Sequence, residues 1–501
     1  MTGSWQGFPL RDACIYELHV GTFTPEGTYD GVASKLDHLV HLGVNAIELM
    51  PVHRFAGSRG WGYDVVDLRT THEPYGSPDD LKRLVAAAHE RGLAAICDVV
   101  YNHIGPGADI SRDFVPHYTS RRSTAWGPAI NLDGPSSDEV RAFVVDNALM
   151  WMESYGFDGL RIDAIDAIVD TSAVHILEEI GVRTTELGSR LGRTLWLIAE
   201  SDLNDPRVVW SRDRGGYGMD AQWSDDFHNS LHALLTGERG GYYADFGLVE
   251  HLATALRRAF VNDGRYSTYR RRRHGRPADG VPGHQFLGYM QNHDQIGNRA
   301  RGDRTAALLS PELLRVVAAI VLTAPFVPML FMGEEWGAST PFPYFTGHDD
   351  PILGRTVTDG RKRDFAAFGF DGGDAFDPQE PATFEAARLR WDEIDDPRHS
   401  DLLEWHRNLI AQRRELPDLS DGDMSGVRTQ HSEDPPWLVM QRGAVIVASN
   451  FAPVAVEIPV RSTGAELLLT SGKDPEPTGG HLRLPPQSVS VLSQDGFAGR
   501  T

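Results

Sequence analysis

The segment SPDDLKRLVAAAHERGLAAICDVVYNH, residues 77–103, contains one complete structural unit and decides the fold. Ser77 is a good helix N-cap and Pro78 suits the first helical position, while Gly92 marks the end of the helix. The apolar run after Gly92 is typical of a buried parallel strand, and it ends at Asp98. The segment therefore predicts a helix, a glycine turn and a parallel strand with polar residues at its carboxyl end.

The same plan recurs along the chain, so that eight strands are predicted. Their sequences are CIYELHVG (14–21), NAIELMP (45–51), the strand ending at Asp98, GLRID (159–163), LWLIAE (195–200), and the strands within GYGMDAQWSDDFH (216–228), QFLGYMQNHDQIGN (285–298) and FVPMLFMGEEWG (326–337). Strands that alternate with helices in this way indicate a parallel sheet.

Two α/β architectures fit such alternation, an open doubly wound sheet and a closed barrel. A doubly wound nucleotide-binding sheet carries a glycine-rich fingerprint after its first strand. The corresponding segment here, ELHVGTFTPEGTYDG (17–31), is not such a fingerprint. We therefore predict a (β/α)8 TIM barrel with loop insertions.

The chain of 501 residues is long enough for this barrel and one smaller domain. We expect the barrel to occupy residues 1–419, with a short insertion at about 104–135 after strand three and a long loop at about 338–400 after strand eight. After residue 420 apolar and polar residues alternate between turn signals, as in WLVMQRGAVIVASNFAPVAVEIPV. Residues 420–501 are therefore predicted to form a small, antiparallel, β-sandwich-like domain.

Composition excludes several classes of partner. The formal net charge of −22 argues against nucleic acids and anionic membranes. The apolar stretch 316–332 resembles a membrane span, but Pro325 and Pro328 interrupt it, so a buried helix followed by a buried strand is predicted.

The chain has two cysteines, Cys14 and Cys97, both in apolar strands, which favours free thiols in a reducing compartment. With no signal-peptide pattern at the N-terminus, a cytoplasmic protein is expected. Its oligomeric state is not indicated.

Polar side chains follow four of the predicted strands. They are Asp98, Asn102 and His103 after strand three, Arg161 and Asp163 at the end of strand four, Glu200 after strand five, and His293 and Asp294 after strand seven. In a βα-barrel the active site lies at the carboxyl ends of the strands. An isolated Asp or His at such a position is usually a helix cap or a structural donor. Four strand ends with such groups together indicate a catalytic site.

Two opposed carboxyl groups are what glycoside hydrolysis requires, one ionised and one protonated. Arg161, two residues from Asp163 on the same face, would keep that carboxylate charged. Burial of Glu200 near like charges would raise its pKa, as a general acid requires. Asp294 would then stabilise positive charge at the sugar's anomeric carbon, and the two histidines would bond sugar hydroxyls.

Two other features carry weaker signals. Asp98, Asn102 and His103 have ligand types that suit calcium, but the sequence does not show the rest of an oxygen cage. We therefore predict neither a required metal nor a cofactor. The basic run YRRRRHGRP (269–277) is interpreted as a solvated loop.

Four motifs resemble those of the α-amylase family of glycoside hydrolases and occur in the family's order. They are DVVYNH (98–103), GLRIDA (159–164), AESD (199–202) and QNHDQ (291–295). The resemblance implies that Asp163 is the nucleophile, Glu200 the general acid/base and Asp294 the transition-state stabiliser. It also implies that Arg161, His103 and His293 hold the nucleophile and the adjacent sugar, and that Tyr63 stacks on that sugar.

Five further segments are similar to those of family members that cleave the α-1,4 bond next to a terminal trehalose and release trehalose. They are ELHVGTFTPEGT (17–28), TAWGPAINLDGPSSDEVR (124–141), IAESDLNDPRVV (198–209), DAQWSDDFHNSLHALLTGERGGYYADFG (220–247) and FMGEEWGASTPF (331–342). The implied substrate is a maltooligosyltrehalose, an α-glucan oligosaccharide. Further substrate contacts are expected from Asp202, Trp223, Asp226 and His228, the last three on the trehalose side.

The chain departs from the family at two points. Members usually carry an N-terminal β-sandwich, whereas here the barrel is expected to begin almost at once. Position 166 is Asp where relatives have a basic residue or His. The alternative functions are glucan branching or debranching, and sugar binding without catalysis. A non-catalytic relative is expected to have lost a carboxylate of the triad, and all three are present.

Overall fold

The computed structural model describes residues 5–105, 116–124, 127–367, 375–460, 465–478 and 480–494. Eight strands form a closed barrel in which each strand neighbours the next along the chain and the eighth neighbours the first. They are β1 (Ile15–Leu18), β2 (Ala46–Leu49), β3 (Ala94–Val99), β4 (Gly159–Ile162), β5 (Trp196–Ala199), β6 (Ala221–Trp223), β7 (Phe286–Gly288) and β8 (Val327–Phe331). The strands pair in parallel from β1 to β6 and between β7 and β8. The predicted eight-stranded barrel is confirmed.

The α-helices alternate with these strands. They span Val20–Phe23, Tyr29–Ala33, Leu36–Leu42, Pro78–Glu90, Asp138–Ser154, Ile176–Leu191, Asp225–Thr236, Val249–Arg258, His293–Gly297, Thr305–Leu308, Pro311–Thr323, Pro351–Ala367, Pro381–Ala386, Pro397–Glu415 and Pro417–Ser420.

The unit at 77–103 folds as its sequence predicts. Ser77 caps the helix Pro78–Glu90 and exchanges hydrogen bonds with Asp80 in a capping box. Gly92 follows the helix with a φ of 76°, which favours glycine because it has no Cβ. The strand β3 is buried along its whole length and ends one residue after Asp98. This local order places the side chains after β3 at the carboxyl end of the barrel.

The apolar stretch 316–332 is also as predicted. The helix Pro311–Thr323 is followed by the buried strand β8. Among the described residues, no helix has the length and apolar character needed to cross a membrane. Cys14 and Cys97 are buried thiols outside any disulfide, as expected.

The predicted long loop at about 338–400 contains regular structure. Its helix Pro351–Ala367 has 17 residues, and Pro381–Ala386 forms a second helix. The insertion at about 104–135 lies partly outside the described residues, and its described part contains the antiparallel pair Tyr118–Thr124 and Gly127–Ile130. The basic run at 269–277 contributes to a short hairpin, Tyr266–Ser267 with Arg272–Arg273, whose arginines are exposed.

The C-terminal strands are antiparallel and form two sheets. The five-stranded sheet contains β9 (Arg428–Glu433), β10 (Pro436–Arg442), β11 (Val445–Asn450), β13 (Glu466–Thr470) and β16 (Ser488–Ser493); the three-stranded sheet contains β12 (Val456–Pro459), β14 (Glu476–Thr478) and β15 (His481–Leu484). One apolar cluster takes Ile446 and Leu492 from the larger sheet and Ile458 and Leu482 from the smaller. Two sheets that share an apolar core are the arrangement of a sandwich.

The chain divides into two compact units. The first comprises Met1–Trp223, Asn292–Asp303 and Thr340–Trp391, and the second comprises Ser224–Gln291, Arg304–Ser339 and Asp392–Thr501. The three predicted catalytic carboxylates lie in the first unit. The expected boundary near residue 420 between the barrel and a C-terminal domain stays a prediction.

Candidate active site

A buried guanidinium, that of Arg161, joins three carboxylates at the carboxyl end of the barrel. Its Nη1 lies 2.8 Å from Asp98 Oδ2 and 2.9 Å from Asp163 Oδ1, and its Nη2 lies 2.8 Å from Glu200 Oε2. The side chain is 1% exposed. A buried charge of this kind is tolerated when opposite charges and hydrogen bonds compensate for lost hydration. The sequence predicted one of these partners, Asp163, and the structure adds two.

Asp163 follows β4 and is held on both carboxylate oxygens. Oδ1 accepts from Arg161, and Oδ2 accepts from Asn102 Nδ2 at 2.7 Å. The backbone N–H of Asp163 donates to the Val99 carbonyl oxygen at 3.0 Å. These contacts fix the direction of the carboxylate, which a nucleophile needs for attack along one line.

Glu200, one residue past β5, is a second carboxyl group that contacts Arg161. Its Oε2 accepts from the Ala164 N–H at 2.7 Å as well as from Arg161. Burial raises the pKa of Glu200 above its ordinary value, although the Arg161 charge acts in the opposite direction. A raised pKa lets the group hold a proton at neutral pH, as a general acid must.

Asp98 and Tyr63 also belong to the group of side chains that contact Arg161. Burial raises the pKa of Asp98 to about 7 even though Arg161 lowers it. The Tyr63 hydroxyl donates to Asp98 Oδ2 at 2.6 Å and lies 2.8 Å from His293 Nε2. Burial raises the pKa of the Tyr63 hydroxyl well above its ordinary range, so it remains a donor.

Glu17, a residue of β1, contacts His293 through both of its carboxylate oxygens. The His293 N–H donates to Glu17 Oε2 at 3.0 Å, and His293 Nδ1 pairs with Glu17 Oε1. Burial lowers the pKa of His293, but the Glu17 carboxylate more than offsets this, so the pKa is raised overall. The Glu17 carboxylate therefore shifts the imidazole toward its protonated form.

Asp294 lies in the short helix His293–Gly297. The Asn292 side chain caps this helix and accepts from the Asp294 N–H at 2.9 Å. Asn298 Nδ2 donates to Asp294 Oδ1 at 2.9 Å. Burial raises the pKa of Asp294, while the cationic His293 lowers it.

His103 is engaged by protein groups. Its Nε2 lies 3.1 Å from the Tyr63 carbonyl oxygen, and its Nδ1 contacts Asn102 Oδ1. Burial lowers its pKa, which favours the neutral ring. In this structure His103 supports Tyr63 and Asn102, and its predicted contact with a sugar hydroxyl stays a prediction. Asp98, Asn102 and His103, whose ligand types suit calcium, are engaged by protein groups: Asp98 accepts from Tyr63 and Arg161, Asn102 donates to Asp163, and His103 contacts Asn102.

Two exposed acids, Asp166 and Asp202, stand beside the catalytic carboxyls. Asp166 belongs to the 3-10 turn Ile165–Ala167, which begins two residues after Asp163. Partial burial, and then the carboxylates of Asp202 and Glu200, raise the pKa of Asp166 to about 6. The mouth of the site is thus acidic at Asp166 and Asp202.

The three residues expected on the trehalose side are all buried. Trp223, at the end of β6, has its ring centroid 4.2 Å from the Arg161 guanidinium. Asp226 Oδ2 accepts from the backbone N–H groups of Val261 and Asn262, each at 2.7 Å. His228 Nδ1 lies 2.6 Å from the Met290 carbonyl oxygen, and its Nε2 lies 3.0 Å from the Tyr243 hydroxyl. The structure thus gives Asp226 and His228 protein partners, and their contact with trehalose stays a prediction.

Several functional side chains escaped the sequence argument. Glu17 and Glu48 lie on β1 and β2, where Cα register places them side by side. Both oxygens of the fully buried Glu48 lack a hydrogen-bond partner within the described structure, and burial raises its pKa well above 4.5. The sequence shows one glutamate inside each of the strands IYEL and AIEL, but not what its carboxylate contacts. No feature of the sequence indicated a role for Arg361, which lies in the helix Pro351–Ala367.

Comparisons with known proteins agree with this geometry. The family described as alpha amylase, catalytic domain, matches residues 10–125, and a domain of unknown function (DUF3459) matches residues 424–491. The malto-oligosyltrehalose trehalohydrolase of Arthrobacter ramosus is 52% identical over 82% of this chain and 72% of its own length. The enzyme of the same name from Rhizobium sp. (strain M-11) is 46% identical over 97% of this chain and 82% of its own length.

A solved structure extends the comparison to three dimensions. A Salmonella typhimurium protein assigned to the α-amylases superposes with a TM-score of 0.89 at 36% identity, covering 99% of this chain and 84% of its own. The barrel, the order of the four motifs and these relatives all agree. The chain belongs to the malto-oligosyltrehalose trehalohydrolase family, and its barrel is that of an α-amylase catalytic domain.

Proposed function

We propose that this protein hydrolyses the α-1,4-glucosidic bond next to the terminal trehalose of a maltooligosyltrehalose and releases trehalose. The trehalose specificity is supported by the trehalohydrolases that match most of the chain. The observation that carries the chemistry is the pairing of Asp163 and Glu200 on the two terminal nitrogens of one guanidinium.

In the first step Asp163 attacks the anomeric carbon of the glucose before the trehalose unit. Glu200 donates its proton to the glycosidic oxygen, so the carbon–oxygen bond breaks and trehalose leaves as an alcohol. A covalent glycosyl ester on Asp163 remains. The raised pKa of Glu200 suits this step, because the group must carry the proton before the bond breaks.

In the second step Glu200, now ionised, removes a proton from water as the water attacks the same carbon. The ester bond breaks, Asp163 is released as a carboxylate, and the glucan leaves with its original α configuration. Two inversions at one carbon give net retention. Arg161 contacts both carboxyls, so it can compensate whichever of them is charged in each step.

The remaining side chains stabilise the positive charge that develops on the sugar. Asp294 is oriented by Asn292 and Asn298 and supplies a carboxylate. Preorganised charges of this kind act strongly because they need no reorganisation during the reaction. Tyr63 and His293, which are stacked with ring centroids 5.3 Å apart, form the wall on which the sugar would lie.

Branching or debranching of glucans is the alternative within the same chemistry. The assay that separates the two incubates the protein with a maltooligosyltrehalose, with an unmodified maltooligosaccharide of equal length, and with a branched glucan. Trehalose release from the first substrate, much faster than cleavage of the others, is expected. Preferential action on the branched glucan would establish the alternative.

Retention has its own test. Proton NMR during early turnover should show the α-anomer of the shortened maltooligosaccharide before mutarotation. Initial formation of the β-anomer would overturn the two-step mechanism. The Asp163→Asn variant, which cannot form the ester, serves as the matched inactive control. Binding without cleavage by the unmodified protein would instead support a sugar-binding role.

A further inference from the structure

Arg361 links an inserted helix to the carboxylate of Asp294 through a single intervening side chain. Its Nη1 donates to Asn298 Oδ1 at 2.8 Å, and its Nη2 donates to the Gly297 carbonyl oxygen at 3.0 Å. The Asn298 amide in turn donates to Asp294 Oδ1 at 2.9 Å. The path from guanidinium to carboxylate therefore consists of two direct hydrogen bonds.

The guanidinium is itself held in place. It lies over the ring of Tyr344 at 4.5 Å and near that of Phe365 at 5.3 Å. Arginine stacked on aromatic faces is restricted in its rotamers and still presents its donors in a plane. Its direction is therefore set before any substrate arrives.

The helix that carries Arg361 is fixed in the same compact unit. Thr358, one turn earlier, donates to Asp377 Oδ1 at 2.8 Å. Arg59, from the loop after β2, donates to the Gln379 carbonyl oxygen at 2.7 Å. The Arg59 bond thus ties the segment after β8 to the loop after β2, and the Thr358 bond fixes the helix within that segment.

Packing alone already positions the backbone of the Asp294 helix. A Cβ added at Gly297 would lie 1.9 Å from the Trp61 ring, so this turn is pressed against an aromatic side chain. What packing leaves undetermined is the orientation of the Asn298 amide. Arg361 donates to Asn298 Oδ1, which leaves the amide nitrogen to face Asp294.

We propose that Arg361 is a positioning residue for Asp294, which it orients through Asn298. This inference rests on the proposed function, because it assigns a purpose to the orientation of Asp294. Asp294 faces four charged or titratable groups, namely His293, Glu200, Arg361 and Arg161. Of the cations, Arg361 is the one contributed by the segment after β8.

Removing Arg361 has two expected effects. The Asn298 amide loses the contact that orients it, so Asp294 is less well placed when charge develops on the sugar. The pKa of Asp294, which burial raises and Arg361 lowers, should rise further. Since Asp294 must be ionised to act, the acidic limb of the kcat profile should move to higher pH.

The experiment compares Arg361→Met, Arg361→Lys and Asn298→Ala with Lys362→Met, an exposed neighbour on the same helix. Arg361→Met should lower kcat on the order of 10- to 100-fold, as a misplaced catalytic group does, with a smaller change in KM. Arg361→Lys should restore the acidic limb but not the full kcat, because lysine keeps the charge and loses the planar pair of donors. Lys362→Met should behave as the unmodified protein.

Asn298→Ala and the double variant complete the test. If the two residues act in series, the double variant should be no slower than the slower single variant. Additive losses, or an Arg361→Met variant with normal kcat and an unmoved acidic limb, would overturn the proposal. Should Arg361→Met fail to fold, as judged by its thermal transition, Arg361→Lys and Asn298→Ala decide the matter.

The outcome is separable from that of the proposed function. Each variant is measured as a ratio to the unmodified protein on whichever α-glucan that protein cleaves best. Absence of trehalose release from the unmodified protein would contradict the specificity and leave these ratios measurable. If the unmodified protein releases trehalose normally and the variants are as active as it is, only the role of Arg361 is contradicted.

Discussion

Arg161 and Glu200 are joined by a contact of 2.8 Å, although the pKa of Glu200 is raised. A permanent cation favours loss of the proton from a neighbouring acid, but burial of Glu200 acts more strongly here. The guanidinium is shared with Asp98 and Asp163, so its charge is largely compensated by groups other than Glu200. The acid can therefore remain protonated while its direction is fixed by a charged donor.

Glu200→Gln should retain the fold and lose activity. The amide oxygen can still accept from Arg161 and Ala164, but it has no proton to give. We expect kcat to fall by about 10²- to 10⁴-fold, the usual contribution of general acid catalysis. The alkaline limb of the pH profile should also disappear. If the residual activity of the variant still shows the alkaline limb, that limb belongs to a group other than Glu200.

Asp98→Asn should change the pH dependence of stability. The folded-state pKa of Asp98 is about 7, above its ordinary value of 3.8, so the folded protein binds this proton more tightly than the unfolded chain. The free energy of unfolding of the unmodified protein should therefore fall, relative to the variant, as pH rises from about 4 to about 7. Denaturant unfolding at several pH values measures the difference. A difference that grows in the opposite direction would contradict the raised pKa.

Asp226→Ala should destabilise the protein. Two buried backbone N–H groups, of Val261 and Asn262, would lose their acceptor. The expected cost is about 2–6 kcal/mol, since each of the two unsatisfied buried groups costs roughly 1–3 kcal/mol. Asp226→Asn, which keeps one acceptor oxygen, is the matched control and should cost less. Unchanged stability together with impaired trehalose release would instead support the predicted contact with trehalose.

Gly297→Ala should disturb both stability and activity. The added methyl group would meet the Trp61 ring at 1.9 Å, so the helix bearing Asp294 or the ring must move. A lowered thermal midpoint and a lowered kcat are expected, because overpacking in a core typically costs about 1–3 kcal/mol. Gly360→Ala, in the helix Pro351–Ala367, has open space around its Cβ and should be neutral or slightly stabilising. Equal behaviour of the two variants would contradict the close packing at Gly297.

Asp166→Asn should move the alkaline limb of kcat to lower pH. Burial and the carboxylate of Asp202 raise the pKa of Asp166, and repulsion from the carboxylate of Glu200 raises it further. Removing one negative charge should therefore make Glu200 easier to ionise. Asp202→Asn provides the comparison at the second exposed acid of the mouth. A limb that moves to higher pH would show that the two carboxylates are not in electrostatic contact.

The sequence predicted the barrel because apolar residues recur with different periods in its strands and in its helices. The helices also begin and end at recognisable capping residues. It also predicted that Asp163, Glu200 and Asp294 meet, because the carboxyl ends of parallel strands share one rim. Their roles remain predictions, although the structure brings Asp163 and Glu200 onto one guanidinium.

Other features depended on details that no local pattern contains. Glu17 and Glu48 occupy strand interiors, where apolar periodicity predicts core residues. Arg361 lies on a helix inside a segment predicted as a loop, and its partner Asn298 is distant in sequence. The location of Asp226 beyond β6 could be predicted from the sequence, but not that its carboxylate accepts from two backbone N–H groups.

The turn after β4 has a mechanical consequence. Ala164 adopts a left-handed conformation with a φ of 38°, and its N–H is bonded to Glu200. Ala164 also directly follows Asp163 in the chain. Any displacement of the nucleophile along its strand therefore carries the acid with it. The separation of the Asp163 and Glu200 carboxyl groups should therefore stay nearly constant when loops at the barrel rim move during substrate entry. Such motion would change access to the site and leave the catalytic geometry intact.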